Sequence, residues 1–197
     1  LNEQIEREFI AHFLYRAIAM DLYDKGYEGF AGWMDTHAQE EYGHAERIIA
    51  YLREQDTKVT LPAIPKPKET WPTVKEAVEA ALAHEQFLTG KIHELVTQAE
   101  QEGDLATASM LDWFVTEQVE EEHLVSRLLK RIALAGGSDI GLIVIDAELG
   151  GSAAHGGVRA GPGRQPALPG GCGPGGGGAG RGQRRSPRPV SGGRGPA

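Results

Sequence analysis

The sequence predicts an all-α protein, built as a four-helix bundle with one long crossover and a short fifth helix. Four long stretches carry apolar residues at helical spacing. Prolines separate the second stretch from the third, and none lies within a stretch. Glycines mark the ends of the last two long stretches. Four long helices with one long crossover are a known variant of the bundle.

The first helix is predicted over residues 1–25. A short connection, residues 26–32, leads into the second helix, which ends near residue 55. Residues 1–25 contain neither proline nor glycine. When successive residues are placed at about 100° around a helix, one face, the predicted inner face, carries Leu1, Ile5, Phe9, His12, Tyr15, Ala19 and Leu22. The inner face of the second helix is Phe30, Trp33, Met34, His37, Ile48, Tyr51 and Leu52.

Residues 56–72 form the predicted crossover, with prolines at positions 62, 65, 67 and 72. Proline lacks the amide hydrogen that a helix interior needs, so this segment is extended. At roughly 3.3 Å per residue it exceeds the ~36 Å length of a 24-residue helix. The second and third helices can therefore run parallel.

The third helix starts after Thr73, which with Glu76 forms a capping box, and ends at Gly103. Asp104 caps the fourth helix, which runs to about Ala135 before two glycines. A short apolar segment over residues 140–149 predicts a fifth helix. Residues 150–197 are rich in glycine, proline and arginine, and this composition predicts a disordered tail after a 1–149 domain.

Charge is divided unevenly along the chain. All 28 acidic residues precede residue 149, and seven arginines follow it, so residues 1–149 carry a net charge of −15. Such a body repels nucleic acid and anionic membranes and attracts cations. Nucleic acid is an unlikely partner, although arginines in the tail leave that alternative open. One cysteine, no apolar run of about 18 residues and no signal peptide pattern predict a cytoplasmic protein without a membrane span.

Several polar residues lie on the predicted inner faces. Glu8 is at the centre of the apolar stripe of the first helix, Glu41 and His44 flank that of the second, and Glu85 lies between apolar positions of the third. The fourth helix offers two pairs, Gln118 with Glu121 and Glu120 with His123. Helical angles place the first pair near the inner face and the second more than about 100° away.

Buried carboxylates cost several kcal/mol each unless they are paired or bind metal, and these stripes contain no inward lysine or arginine. A single inward glutamate is more often an ordinary packed side chain. Five or six such polar residues on the core stripes, four of them carboxylates and one an imidazole, without sulfur, indicate iron or manganese. Tyr15, His12 and His37 share the stripes and are interpreted as packed or supporting groups rather than ligands.

Short motifs, in matching order and spacing, resemble those of the bacterial non-haem ferritins over residues 1–149. The motifs are Leu1-Asn2-Glu3-Gln4-Ile5, His37-Ala38-Gln39-Glu40-Glu41 with His44, His84-Glu85-Gln86, Trp113 with Glu117-Gln118, and Glu120-Glu121-Glu122.

This resemblance implies a ferritin-like bundle with a di-iron centre. It makes Glu8, Glu41 and His44 ligands of one iron, and Glu41 bridges to a second iron. The second iron is implied to bind Glu85, Gln118 and Glu121, with Tyr15 nearby. The resemblance also implies a third iron position at Glu40, Glu117 and Glu120, for which an ordinary acidic surface is an equal alternative.

The function that the resemblance implies is iron storage with ferroxidase activity. Fe²⁺ reacts with O₂ or H₂O₂, and ferric mineral collects inside a homo-oligomeric shell of 24 subunits. Tyr42 stands where bacterioferritins have a haem-binding methionine, so no haem is expected. The alternatives are a structural shell subunit that stores iron without oxidising it and, less favoured because the inner stripes are filled, a di-iron oxygenase or peroxidase.

Overall fold

The computed structural model describes the backbone of residues 1–155 and the side chains of residues 1–151. This part of the chain contains five α-helices, which confirms the predicted all-α class. They are α1 Asn2–Asp24, α2 Glu28–Glu54, α3 Val74–Glu102, α4 Leu105–Leu134 and α5 Asp139–His155. Within the described residues, no helix combines the length and the apolar character needed to cross a bilayer.

The crossover between α2 and α3 follows α1 from one end to the other. At its start, the Asn2 side chain donates to the Lys58 carbonyl at 3.2 Å and accepts from the Thr60 amide at 2.9 Å. At its end, the Trp71 amide donates to Asp21 Oδ2 at 3.0 Å. Because Asn2 and Asp21 lie at opposite ends of α1, the crossover spans the bundle, and α2 and α3 are parallel as predicted.

The predicted caps also form. The Thr73 hydroxyl accepts from the Glu76 amide at 3.1 Å, and Asp104 Oδ1 accepts from the Thr107 amide at 3.0 Å. Gly103 ends α3 with φ of 70°, a left-handed conformation that glycine adopts without a steric penalty. These local signals suffice to fix the turn between α3 and α4.

Two predicted helix boundaries are wrong. The predicted connection over residues 26–32 is shorter, since α2 begins at Glu28. The fifth helix does not end at residue 149 but continues to His155. Asp146 of α5 accepts from the Phe30 amide at 2.8 Å, satisfying a free amide in the first turn of α2. Residues 150–155, which were predicted to belong to the disordered tail, are helical, and residues 156–197 lie outside the described part.

Gly29 permits this close approach of α2 and α5. A Cβ added at Gly29 would lie 1.8 Å from the Asp146 carbonyl oxygen, which belongs to the backbone and cannot rotate away. We expect Gly29→Ala to displace α5 and to lower the free energy of unfolding by about 1–3 kcal/mol. Thermal unfolding and limited proteolysis of α5 measure these two effects.

Gly32 provides the matched control for this substitution. It lies in the same helix, and an added Cβ would have no atom within 4 Å. Gly32→Ala should raise stability by roughly 0.5–1 kcal/mol through helix propensity. Equal effects of the two substitutions would contradict the packing role of Gly29.

The bundle contains two apolar clusters separated along its axis. One cluster includes Phe30, Met34 and Val125, and the other includes Ile48, Leu111 and Phe114. The polar residues of the predicted site fall between these two sets along each of the four long helices. The fold therefore encloses a polar layer between two apolar layers.

Candidate metal centre

The polar layer contains the residues that the sequence placed on the inner faces of the helices. Each is at most 4% exposed, which confirms the predicted burial. They are Glu8 on α1, Glu41 and His44 on α2, Glu85 on α3, and Gln118 and Glu121 on α4. The outward pair Glu120 and His123 is exposed, as the helical angles predict.

Glu8, Glu41 and His44 lie together as one set of possible metal ligands. Each offers one ligand atom, and these atoms lie within 4.8 Å of one another. His44 Nδ1 is 3.4 Å from Glu41 Oε2 and 4.0 Å from Glu8 Oε2. Gln4 lies one turn before Glu8 and donates to Glu8 Oε1 at 2.8 Å, so the other oxygen remains available.

Four buried atoms of this group have no hydrogen-bond partner among the described residues: Glu8 Oε2, both carboxylate oxygens of Glu41, and His44 Nδ1. Leaving such atoms unsatisfied costs about 1–3 kcal/mol each, and more when they are charged. The described part of the chain contains no buried lysine or arginine that could compensate. A cation of high charge would satisfy all four atoms at once, so the residues fit a metal ion.

Glu85 forms the opposite side of the layer. The Tyr15 hydroxyl donates to Glu85 Oε1 at 2.7 Å, and Gln118 Nε2 donates to Glu85 Oε2 at 3.2 Å. Gln118 Nε2 also lies 3.2 Å from the Glu85 carbonyl and 3.3 Å from the Thr89 hydroxyl. These contacts occupy the amide nitrogen of Gln118, which leaves its oxygen as the atom able to bind a cation.

Glu8, Glu41 and Glu85 hold protons more tightly than usual. Burial, followed by the negative charge of Glu121, raises the pKa of Glu85 to about 7. Burial and the charge of Glu41 raise the pKa of Glu8 well above its usual value. Burial and the charges of Glu85 and Glu121 do the same to the pKa of Glu41. Without a cation, the layer is therefore a set of mutually repelling acids.

Glu121 belongs to two further groups of possible ligands. One joins it to His37 and Glu40, and the other joins it to His44 and Glu117. Burial raises the pKa values of Glu40 and Glu117. Glu120, which the resemblance places with Glu40 and Glu117, is exposed and belongs to none of the three groups found in the described part.

One supporting residue, Gln4, was not identified as such from the sequence. Gln4 is fully buried and orients Glu8, and its position four residues before Glu8 was the available signal. His37 does pack against aromatic rings, as interpreted, but it also reaches Glu40 and Glu121. His12 lies 2.6 Å through Nδ1 from the Ala38 carbonyl, in agreement with a packing role.

Fold and site together define a four-helix bundle whose central carboxylates and histidine could hold metal ions. Residues 1–135 match the family model of the ferritin-like domain. A probable bacterial non-haem ferritin-like protein of Haemophilus influenzae is 35% identical over 150 residues, which are 76% of this chain and 91% of that protein. The chain belongs to the ferritin family.

Other relatives agree with this assignment. The bacterial non-haem ferritin of Campylobacter jejuni is 35% identical over 146 residues, covering 74% of this chain and 87% of that protein. The crystal structure of an open-pore ferritin from Archaeoglobus fulgidus matches with a TM-score of 0.74 and 36% identity, covering 76% of this chain and 92% of that chain. The resemblance to bacterial non-haem ferritins is thereby confirmed.

Proposed function

We propose that this chain is an iron-storage ferritin subunit with ferroxidase activity. The observation that carries the proposal is the set of four unpartnered buried atoms on Glu8, Glu41 and His44. Carboxylate oxygens and one imidazole without sulfur suit iron. Family membership supports iron as the substrate.

Each residue has a definite part in this proposal. Glu8, Glu41 and His44 hold one Fe²⁺, and Glu41 bridges to a second. Glu85, Gln118 and Glu121 complete the second position, on the opposite side of the polar layer. Tyr15 orients Glu85 through the 2.7 Å hydrogen bond and thereby supports the second position.

The reaction removes one electron from each of two Fe²⁺ ions. O₂ accepts both electrons and two protons to give H₂O₂, or H₂O₂ accepts two electrons and two protons to give two waters. The protein holds the two ions next to each other, so the two electrons leave together. Displacement of protons from Glu8, Glu41 and Glu85 accompanies binding, since ligating carboxylates must be ionised.

A homo-oligomeric shell of 24 subunits is part of the proposal, with mineral deposited inside it. The net charge of −15 over residues 1–149 supports the deposition of mineral, because it attracts Fe²⁺ and ferric nuclei. No haem takes part, since Tyr42 occupies the position expected for a haem-binding methionine. A cytoplasmic location, where Fe²⁺ and O₂ or H₂O₂ meet, belongs to the same proposal.

His44→Ala tests the ferroxidase function. We expect the initial rate of Fe²⁺ oxidation to fall at least about 10-fold, because the first position loses its only nitrogen ligand. Ferric absorbance after aerobic addition of Fe²⁺ measures the rate. An unchanged rate would favour the structural shell subunit that stores iron without oxidising it.

Sedimentation velocity of the iron-loaded protein tests the shell. A fast boundary that carries both protein and ferric absorbance is expected. Ferric material that sediments apart from a small protein species would show that this chain does not form a mineral-filled shell.

A further inference from the structure

A chain of hydrogen bonds leads from Gln118 on α4 through Thr89 on α3 to Glu122, one turn further along α4. Gln118 Nε2 lies 3.3 Å from the Thr89 hydroxyl, and that hydroxyl lies 2.6 Å from Glu122 Oε1. Glu122 is part of the acidic motif of α4, but it is outside the proposed ligand set. It therefore reaches a proposed iron ligand through one intervening hydroxyl.

Thr89 has one hydroxyl hydrogen and two acceptors within reach. The Glu85 carbonyl of its own helix lies 3.0 Å from Thr89 Oγ1, and Glu122 Oε1 lies 2.6 Å from it. A hydrogen directed at the carbonyl would leave lone pairs of the hydroxyl and of the carboxylate facing each other at the shorter distance. A hydroxyl bond to a carboxylate is also the stronger of the two. The hydrogen therefore points to Glu122, and the Thr89 oxygen acts as an acceptor.

This hydrogen position fixes the orientation of the Gln118 amide. Gln118 Nε2 faces three acceptors, which are Glu85 Oε2 and the Glu85 carbonyl, both at 3.2 Å, and the Thr89 hydroxyl oxygen at 3.3 Å. A flipped amide would direct its oxygen at all three and gain no hydrogen bond. If Thr89 were free to donate, the flipped amide would gain one. Glu122 thus removes the contact that would favour the wrong orientation.

We infer that Thr89 and Glu122 are positioning residues, which hold the Gln118 oxygen toward the second iron position. The inference rests on the proposed function and adds two residues to it. Glu85 is itself a proposed ligand, so its carboxylate must serve the ion as well as Gln118. Thr89 is outside the ligand set and remains a side-chain anchor for Gln118 when an ion is bound.

Zn²⁺ occupancy in crystals of the full-length protein tests this role without any redox reaction. Anomalous diffraction reports the first and the second position separately. At a Zn²⁺ concentration that half-fills the second position of the wild type, Thr89→Val should leave that position about one-tenth occupied, since loss of a supporting group lowers affinity by about 10-fold. Valine has the shape of threonine without the hydroxyl, so occupancy of the first position should stay unchanged.

Three further variants sharpen the test. Thr89→Ser keeps the hydroxyl and should retain the wild-type occupancy. Thr97 is exposed on the same helix, and its hydroxyl also donates to the carbonyl four residues earlier, that of His93, at 2.9 Å. Thr97→Val removes this local bond away from the centre and should also retain the wild-type occupancy. Glu122→Asp keeps the charge but shortens the side chain, and it should lower occupancy of the second position as Thr89→Val does.

The outcomes separate this inference from the proposed function. Wild-type occupancy in folded Thr89→Val or Glu122→Asp crystals would overturn the positioning role alone, and so would an equal loss in Thr97→Val. Glu122→Asp decides if Thr89→Val does not fold. Wild-type crystals need no variant: density about 2.0–2.2 Å from Gln118 Oε1 is expected, and a second ion out of its reach would overturn the role. Crystals with neither position occupied would overturn the proposed function itself.

Discussion

Glu41→Gln is expected to reduce the rate of Fe²⁺ oxidation at least about 100-fold while leaving the iron-free protein no less stable than the wild type at neutral pH. Both oxygens of Glu41 are buried without a hydrogen-bond partner, and the charges of Glu85 and Glu121 oppose its ionisation. Glutamine has the same shape and no charge, so the repulsion disappears. The proposed bridge between the two ions disappears with it, and loss of a bridging ligand should exceed the 10–100-fold cost typical of supporting groups.

The two measurements are the initial rate of ferric absorbance and the thermal midpoint of the iron-free protein. Glu46→Gln, an exposed acid on the same helix, should change neither. A lower rate of Fe²⁺ oxidation together with an equal or higher thermal midpoint would identify a residue kept for binding rather than for folding. If Glu41→Gln lowered both, Glu41 would instead be a structural group whose contacts the fold needs.

Local signals predicted most of the fold. Thr73 and Gly103 mark the ends of α3 through short-range hydrogen bonding and backbone preference, and the prolines exclude helix from the crossover. The start of α2 and the end of α5 were missed. Glycine is a residue type typical of loops, yet Gly29 lies in the first turn of α2, where α5 packs against it. Contacts between residues more than 100 positions apart are not visible in local patterns.

Helical geometry predicted the burial of the six polar residues of the candidate site. Gln118 and Glu121 differ from Glu120 and His123 only in angle around the same helix, and burial follows that angle. Periodicity gives directions but no distances. It could not show that His37 Nδ1 reaches Glu121, since that contact depends on the spacing between α2 and α4.

The stability of the iron-free protein is expected to fall as the pH rises from about 5 to 8, and bound Zn²⁺ should reverse this dependence. The pKa of Glu85 rises on folding from 4.5 to about 7. Between these values the folded protein binds more protons at Glu85 than the unfolded chain, so the contribution of Glu85 to stability is greatest below pH 4.5 and is lost as the pH approaches 7. At about 1.36 kcal/mol per pKa unit, Glu85 alone accounts for up to about 3 kcal/mol. The raised pKa values of Glu8 and Glu41 act in the same direction and extend the loss to higher pH.

Thermal midpoints of the iron-free and Zn²⁺-loaded protein at several pH values within this range measure the effect. Zn²⁺ binds the ionised carboxylates, so its affinity and its stabilisation should increase with pH over the range in which the iron-free protein weakens. Glu85→Gln, which removes one titrating group and keeps the side-chain shape, should make the slope of the iron-free protein shallower. An iron-free midpoint that stays constant or rises with pH would mean that these carboxylates are already compensated within the fold, and the electrostatic reason for binding iron there would no longer hold.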